Sequence, residues 1–418
     1  MDAQFSPAFH IMAKPIGPAC NLNCTYCYYI EKHVLFEHKK KNFRMSGRVL
    51  EEFIKKYITT QDIPEIAFTW QGGEPTLLGI EFFKNVVSLQ KKYAGEKTVT
   101  NAIQTNGTLL TNEWCAFFAE NRFLVGLSID GPKEIHDRYR VDRSGNGTFD
   151  RVYSGLQLLQ KYHVAVNALT CITRESAMHP LEIYRFLKEA GVGFIQFIPI
   201  VERFADKAAI DLGLKLSGPP ELDDETSSAE TTPWSVAPEA YGDFLIRVFD
   251  QWVRSDVGTV FIMNFEAWLG AWMGVDATTC IYAKECGRSL VMEHNGDIYA
   301  CDHFVYPNRR LGNIVDDMPH ELIQTSRQTG FGRRKHTGLP TACRNCNVLF
   351  ACRGECPKHR FCKTDAGEPG LNYLCTGYKK VFTHIDKYMK TMALFLNKGY
   401  PAEKVMDAIK GPVALYPK

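Results

Sequence analysis

The chain has 418 residues, 45% of them hydrophobic, and its 49 basic residues nearly balance its 47 acidic ones to give a formal charge of +2. This length predicts two or three domains of about 150 residues, and the hydrophobic share is typical of a protein with a buried core. The balanced charge, the absence of an apolar run near the ~20 residues that span a bilayer, and a start without a signal-peptide pattern argue against nucleic acid, membranes and export. We therefore expect a cytoplasmic protein with no nucleic-acid and no membrane partner.

Short apolar runs alternate with amphipathic segments over the first 200 residues. Strands are predicted at Phe9–Ala13, Ile66–Trp70, Val99–Gln104, Leu124–Ile129, Ala165–Ile172 and Phe194–Ile200. Helices are predicted at Ser46–Ile58, Ile80–Tyr93, Asn112–Glu120, Phe149–Tyr162 and Pro180–Ala190. Such alternation predicts an α/β fold with parallel strands and right-handed crossovers. Six units suit a partial (β/α)6 barrel, and an ordinary doubly wound sheet is the alternative.

Three cysteines, Cys20, Cys24 and Cys27, follow the first predicted strand with the spacing C-x3-C-x2-C. Four cysteines usually hold a cluster that only transfers electrons, so three would leave one iron of a four-iron cubane without a protein ligand. Zinc sites usually close with four ligands, and the fourth would have to come from a distant residue. Three free thiols are the remaining alternative. Ligands of α/β sheets bind beyond the carboxyl ends of the strands, where this loop is expected.

Polar clusters follow the next three predicted strands. Gly72, Gly73 and Glu74 come after the second, and the two glycines allow a ligand to approach the backbone closely. A Gln104–Gly107 segment follows the third strand, and a segment from Ser128 to Arg140 follows the fourth. These clusters are consistent with cofactor binding, although turns also use Asn-Gly and Asp-Gly-Pro.

Residues 203–238 change in composition, because Gly, Pro, Asp, Glu, Ser and Thr dominate from Gly213 to Pro233. We expect an exposed insertion or linker there, followed by an amphipathic helix from Pro238 to about Arg254. A boundary at this point predicts one domain over residues 1–235 and a second, with C-terminal helices, over residues 236–418.

The second region is rich in cysteine. Nine of the fourteen cysteines lie between Cys280 and Cys375, and clustering of this kind favours metal or cluster ligation in a reducing compartment. Asn295-Gly296, which suits a type I′ turn, predicts a hairpin that leads to Cys301 and Asp302. Two zinc sites and two iron–sulfur clusters are both possible, because both take tetrahedral thiolate sulfur.

These motifs resemble those of known enzymes. The first cysteine motif, with Tyr26 before its last cysteine, is similar to that of the radical S-adenosylmethionine (radical SAM) enzymes, and the second region resembles their SPASM extension. Most of the chain resembles one branch, the anaerobic sulfatase-maturating enzymes. The resemblance is carried by Gln71–Leu77, Gln104–Leu109, Leu127–His136, Gln196–Ile198, Tyr299–Asp302 and Leu311–Ile314.

The resemblance implies S-adenosylmethionine (SAM) and three [4Fe–4S] clusters as cofactors. Cys20, Cys24 and Cys27 would hold the SAM-cleaving cluster. The first auxiliary cluster would be held by Cys280, Cys286, Cys301 and Cys356, and the second by Cys343, Cys346, Cys352 and Cys375. SAM would contact Tyr26, Gly72, Gly73, Glu74, Ser128, Arg140 and Val201, the last in place of a common leucine. Cys115, Cys171 and Cys362 match no ligand, and we expect Cys115 and Cys171 to be structural thiols.

The implied reaction oxidises a Cys or Ser side chain of an unfolded sulfatase, within a C/S-x-P/A-x-R segment, to Cα-formylglycine. A 5′-deoxyadenosyl radical would take a hydrogen atom from Cβ, Asp302 would take the thiol or hydroxyl proton, and an auxiliary cluster would take the electron. We expect burial to raise the pKa of Asp302 and so to help it act as a base. The cluster would need a low-potential electron donor of the flavodoxin or ferredoxin type. The alternatives are a SPASM enzyme that crosslinks peptides and a non-catalytic zinc-rich interaction protein.

Overall fold

The computed structural model describes residues 8–36, 43–220, 230–277 and 279–410. Its strands are His10–Lys14 (β1), Glu65–Trp70 (β2), Thr98–Thr105 (β3), Leu124–Ser128 (β4), Ala165–Ile172 (β5), Phe194–Pro199 (β6), Phe261–Ile262 (β7), Ser289–Glu293 (β8), Asp297–Tyr299 (β9), Arg310–Asn313 (β10), Cys362–Lys363 (β11) and Pro369–Leu371 (β12). Its helices are Gly47–Thr59 (α1), Ile80–Tyr93 (α2), Asn112–Glu120 (α3), Lys133–Asp137 (α4), Phe149–Lys161 (α5), Pro180–Glu189 (α6), Lys207–Asp211 (α7), Pro238–Ser255 (α8), Met263–Trp272 (α9), Pro319–Leu322 (α10), Ser326–Thr337 (α11), Thr341–Arg344 (α12), Leu349–Cys352 (α13), Cys375–Asn397 (α14) and Val405–Lys410 (α15). The predicted strands and helices are confirmed, with ends that differ by at most one residue.

One sheet organises the described residues, with the strand order β10-β9-β8-β1-β2-β3-β4-β5-β6-β7. Strands β1 to β6 are parallel and lie side by side in chain order, as in a partial (β/α)6 barrel. Each helix between them buries one apolar face: α1 begins at the N-cap Ser46 and buries Val49, Leu50, Phe53, Ile54, Tyr57 and Ile58. The predicted partial barrel is therefore confirmed.

The second half of the chain extends this sheet at both edges. Strand β7 pairs in parallel with β6, and β8 pairs in parallel with β1. The predicted hairpin is confirmed by the antiparallel pair β8–β9, with Gly296 at φ 89° in its turn. Helices α8 and α14 approach closely at Gly242 and Gly377, where an added Cβ on Gly242 would lie 2.8 Å from the Gly377 Cα. The main sheet and the hydrophobic core thus include residues from both sides of position 235, and the domain boundary placed there stays a prediction.

The described parts of residues 203–238 mix buried and exposed residues, so the expectation of an exposed insertion or linker stays a prediction. Glu31 accepts hydrogen bonds from the backbone of Lys215 and Leu216, at 2.8 and 3.3 Å. Leu214 and Leu216 are buried. Composition suggested exposure, but the apolar residues spaced among the polar ones supply contacts. Residues 221–229, the most acidic part of this prediction, and residues 1–7, where a signal-peptide pattern is missing, lie outside the described residues.

In the part of the chain that the structure describes, no helix has the length and apolar character needed to cross a bilayer.

Candidate active site

The first cysteine loop lies at the carboxyl edge of the sheet, directly after β1. The segment that follows β4 fixes its shape: the Asn23 amide donates to the Val141 carbonyl at 2.8 Å, and the Thr25 amide donates to the Tyr139 carbonyl at 2.9 Å. The Arg143 guanidinium donates to the Cys20 carbonyl at 2.6 Å. The loop after β1 is therefore held by the segment after β4, although β2 and β3 lie between these two strands in the sheet.

The Gly72-Gly73-Glu74 turn packs directly on this loop. The Gly73 amide donates to the Gly17 carbonyl at 2.7 Å, and the Glu74 amide donates to the Ala19 carbonyl at 2.9 Å. A Cβ on Gly73 would lie 2.0 Å from the Ala19 carbonyl oxygen, so only glycine fits. The turn thus serves to bring the ends of β1 and β2 into contact beside the thiols.

The Glu74 carboxylate is fully buried beneath the turn. It accepts hydrogen bonds from the Thr76 amide and hydroxyl, the Thr105 hydroxyl and the Asn106 amide, at 2.6–3.0 Å. Burial raises its pKa, and these donors lower it. Asn106 in turn reaches the loop, because its side-chain amide lies 3.8 Å from the Cys20 sulfur. Glu74 therefore ties three strand ends together, and in this structure its carboxylate is occupied by protein donors.

A buried charge pair lies on the other side of the loop. Asp130 accepts from the Tyr26 hydroxyl at 2.5 Å and from the Arg140 Nε at 2.9 Å. The Arg140 guanidinium also lies 3.6 Å from the Cys171 sulfur, and the Cys171 amide donates to Asp130 at 2.9 Å. Sequence reasoning missed Asp130 as a partner and treated Cys171 as a thiol with a structural role only. Ser128 ends β4 and is buried.

Val201 follows β6 and is buried among the core side chains that line this end of the barrel. The sequence-predicted SAM contacts therefore all come from strand ends or the turns after them. Whether each one contacts SAM stays a prediction.

The three loop thiols are electrostatically coupled. Burial, with a smaller contribution from negative charge at Cys27, raises the pKa of Cys20 and of Cys24 to about 12. Cys27 is itself raised in pKa, mainly by burial. For these thiols to be deprotonated, a strong positive charge must take the place of the proton. Iron would provide that charge when it is bound. The donor set, three half-buried thiols that influence one another's pKa, fits a cluster.

Eight of the other cysteines form the two further groups implied by the resemblance. Burial raises the pKa of Cys301 well above its ordinary value, and charges at Cys280 and Cys356 add to this effect. Burial likewise raises the pKa of Cys286 to about 11, with Cys280 again a contributor. These four thiols are the set implied for the first auxiliary cluster.

The second group shows the same mutual repulsion. Burial raises the pKa of Cys343 to about 11, with charge at Cys375 and Cys346 adding to it. Burial raises the pKa of Cys352 to about 12, and Cys375 contributes again. Within the described residues no three His, Cys, Asp or Glu side chains surround a position for one metal ion.

Asp302 lies where these regions meet the barrel, at the start of a 3-10 turn that follows β9. Its carboxylate forms a salt bridge with the Lys14 ammonium, at the end of β1, and accepts from the Tyr28 hydroxyl at 2.8 Å. Burial would raise its pKa, but Lys14, His303 and Tyr28 outweigh burial and lower the pKa to about 2. The expectation of a raised pKa is therefore wrong, because the sequence did not reveal the buried lysine. Asp302 is ionised at neutral pH.

Lys14 and Tyr28 are functional candidates that sequence reasoning missed. Lys14 is 1% exposed, and its ammonium lies 3.4 Å from the centre of the Tyr29 ring. The signal was a lysine inside an apolar strand, since burying an unpaired charge is very unfavourable. Lys358 is similarly placed, 4.6 Å from the centre of the Tyr28 ring and in a salt bridge of 2.5 Å with Glu202.

Comparisons with known proteins agree with this geometry. Residues 15–187 match the model of the radical SAM superfamily, and residues 280–347 match that of the SPASM iron-sulfur cluster-binding domain. The chain is 46% identical over 408 residues to a serine-type anaerobic sulfatase-maturating enzyme of Bacteroides thetaiotaomicron, covering 98% of this chain and 97% of the relative. The chain belongs to the anaerobic sulfatase-maturating enzymes. A cysteine-type relative from Clostridium perfringens is 34% identical over 384 residues, 90% of this chain and 96% of the relative.

A solved structure, "Native anSMEcpe with bound AdoMet and Cp18Cys peptide", matches with a TM-score of 0.80 and 32% identity, covering 93% of this chain and 100% of that one. A structure of Streptococcus suis SuiB, 14% identical with a TM-score of 0.59 over 88% of this chain and 77% of that one, shares the fold alone. Membership of the family implies SAM and three [4Fe–4S] clusters, which the three thiol groups fit. The protein is an enzyme, and the alternative of a non-catalytic zinc-rich module is wrong.

Proposed function

We propose that this enzyme oxidises a Cys or Ser side chain of an unfolded sulfatase to Cα-formylglycine. The observation that supports this most directly is the ionised Asp302 carboxylate, placed by Lys14 and Tyr28 at the carboxyl edge of the sheet and next in sequence to a proposed cluster ligand. The relatives' names and the peptide in the matching solved structure support the same client class.

The cofactors divide the oxidation into parts. When bound, SAM and the cluster of the first thiol group supply a radical that can take the Cβ hydrogen atom, and the auxiliary clusters supply a route for the remaining electron. We assign Cys20, Cys24 and Cys27 to the first cluster. The first auxiliary cluster is assigned to Cys280, Cys286, Cys301 and Cys356, and the second to Cys343, Cys346, Cys352 and Cys375.

The residues of the chain hold the SAM site and move the proton. The Gly73 turn and the Tyr26–Asp130–Arg140 network form the walls of the site. Asp302 Oδ2 accepts the thiol or hydroxyl proton of the client residue. The carboxylate is ionised at neutral pH and so can accept a proton; Lys14 orients it, and by lowering its pKa also makes it a weaker base than an unpaired carboxylate.

We further propose that the client segment is C/S-x-P/A-x-R and that a low-potential flavodoxin or ferredoxin donates electrons. A cytoplasmic location is supported by clustered cysteines that we assign as cluster ligands and that form no disulfide within the described residues. The proposed site lies at the open edge of the barrel sheet. An extended, still unfolded segment of the client can reach such a site, whereas a segment inside a folded client domain would first have to be unfolded.

The decisive experiment is anaerobic incubation of the iron-loaded enzyme with SAM, a reductant and matched Cys and Ser peptides. We expect mass spectrometry to find the aldehyde, trapped with a hydrazide, in at least one peptide. SAM cleavage with no modified peptide would refute the client assignment. A crosslinked peptide in place of an aldehyde would reassign the enzyme to the peptide-crosslinking branch.

A further inference from the structure

The segment between Cys352 and Cys356 has an unusual backbone. Arg353, Gly354 and Glu355 are consecutive and have positive φ angles of 51°, 69° and 51°. The left-handed region is disfavoured for residues with a Cβ, and it persists only where the surroundings fix it. The two cysteines at its ends belong to different thiol groups, Cys352 to the second auxiliary set and Cys356 to the first.

This backbone surrounds the side chain of Arg360. Its guanidinium donates to the Gly354 carbonyl at 2.8 Å, to the Arg353 carbonyl at 3.1 Å and to the Glu355 carbonyl at 3.3 Å. A fourth bond, of 2.5 Å, reaches the Lys335 carbonyl at the end of α11. The three left-handed residues therefore point their carbonyls at one cation, which explains the strained conformation.

Arg360 is only 1% exposed, so water does not screen its charge. Carbonyl dipoles solvate the guanidinium without removing its positive charge, and arginine does not lose its proton in proteins. The neighbouring acid is Glu355, and its carboxylate is hydrogen-bonded to His359 at 2.9 Å and to Asn372 at 2.7 Å.

The charge acts on both thiol groups. The guanidinium is hydrogen-bonded to the backbone that joins Cys352, of the second auxiliary set, to Cys356, of the first, so its charge lies beside ligands of both sets. One buried cation is thus coupled to the ligand sets of both auxiliary clusters.

We propose that Arg360 is a positioning residue that tunes the two auxiliary clusters together, raising the reduction potential of both through its fixed charge. Reduction adds negative charge to a cluster, and a buried positive charge nearby stabilises the reduced form. A shared cation raises both potentials in the same direction, so an electron that reaches one cluster is not trapped there. The use of this route in catalysis rests on the proposed function, whereas the shift in potential does not.

The test is a redox titration of the full-length, iron-loaded enzyme, without client, followed by electron paramagnetic resonance. Arg360→Gln is expected to shift the one-electron equilibrium of both auxiliary clusters toward the oxidised form at least tenfold, equivalent to a fall of about 59 mV. Arg360→Lys keeps the charge and is expected to shift them less than about threefold. Arg344→Gln is the matched control, because Arg344 follows Cys343 but its side chain is 51% exposed and screened by solvent.

Unchanged potentials in an Arg360→Gln variant with full iron would overturn the proposal, as would a shift confined to one auxiliary cluster. Equal falls in the Gln and Lys variants would mean that the side chain acts by shape. If Arg360→Gln does not retain iron, Arg360→Lys still decides: near-parental potentials support a charge effect, and a tenfold fall with the charge retained refutes it. Failure to oxidise any peptide, with the shift present, would reject the proposed function and leave this inference standing.

Discussion

The contact between the Gly73 turn and the first cysteine loop gives the sharpest prediction. Replacing Gly73 with alanine places a Cβ 2.0 Å from the carbonyl oxygen of Ala19, 2.4 Å from its carbonyl carbon and 2.9 Å from that of Pro18. All three atoms belong to the backbone, so no side-chain rotation can relieve the clash. The loop and the turn must separate by about 1 Å, a disturbance of the overpacking kind.

The cost can be worked from the bonds that cross this contact. Overpacking of this kind typically costs about 1–3 kcal/mol. Separation also weakens the Gly73–Gly17 and Glu74–Ala19 backbone hydrogen bonds, each worth about 0.5–1.5 kcal/mol. The total is about 2–6 kcal/mol, a large share of the stability of a typical domain. Since Cys20 directly follows Ala19, we expect the displacement to loosen both the cluster loop and the SAM site.

We would measure iron content, the thermal midpoint of unfolding and SAM affinity by equilibrium binding, all without oxygen. Gly73→Ala is expected to lower the midpoint and to weaken SAM binding at least about tenfold, the equivalent of 1.4 kcal/mol. Gly47→Ala is the matched control, because a Cβ there meets no atom within 4 Å. Parental SAM affinity and stability in Gly73→Ala would refute the close approach on which the site is built.

Four further predictions follow from the same contacts. Asp302→Asn is expected to lower the rate of aldehyde formation at least about 100-fold with client-free SAM cleavage unchanged, and a parental rate would show that another group takes the proton. Tyr28→Phe removes a hydrogen bond to that carboxylate, worth about 1.5–3 kcal/mol, so peptide oxidation should slow at least about tenfold; an unchanged rate would exclude a positioning role. Arg140→Met leaves the buried Asp130 without its cation and should lower the free energy of unfolding by about 3–5 kcal/mol. A denaturant titration that gives the parental value would contradict this. Cys343→Ser should reduce iron from about 12 to about 8 atoms per chain, and a full complement would remove Cys343 from the ligand set.

Local sequence signals were sufficient for the secondary structure and for the family. Helix α1 follows from its N-cap and apolar face, and the β8–β9 hairpin follows from Asn295-Gly296, because capping, periodicity and turn conformation act over a few residues. The cysteine spacings are equally local, and through the family resemblance they implied three thiol groups, an assignment that stays a prediction. Composition could not tell which residues of 203–220 pack, since it counts polar residues and does not register that Leu214 and Leu216 are buried while Ile210 is exposed.

Only the tertiary structure decided the electrostatics of the site. Tyr28 and Asp302 are 274 residues apart in sequence yet 2.8 Å apart in space. The ionisation of Asp302 depends on Lys14, which β1 delivers from the opposite end of the chain, and so its pKa could not be read from the residues beside it. The same holds for Arg360, whose charge matters because distant segments bury it between two sets of thiols. A pKa or a reduction potential depends on the charges within a few ångströms of the group, and the tertiary structure determines which charges lie there.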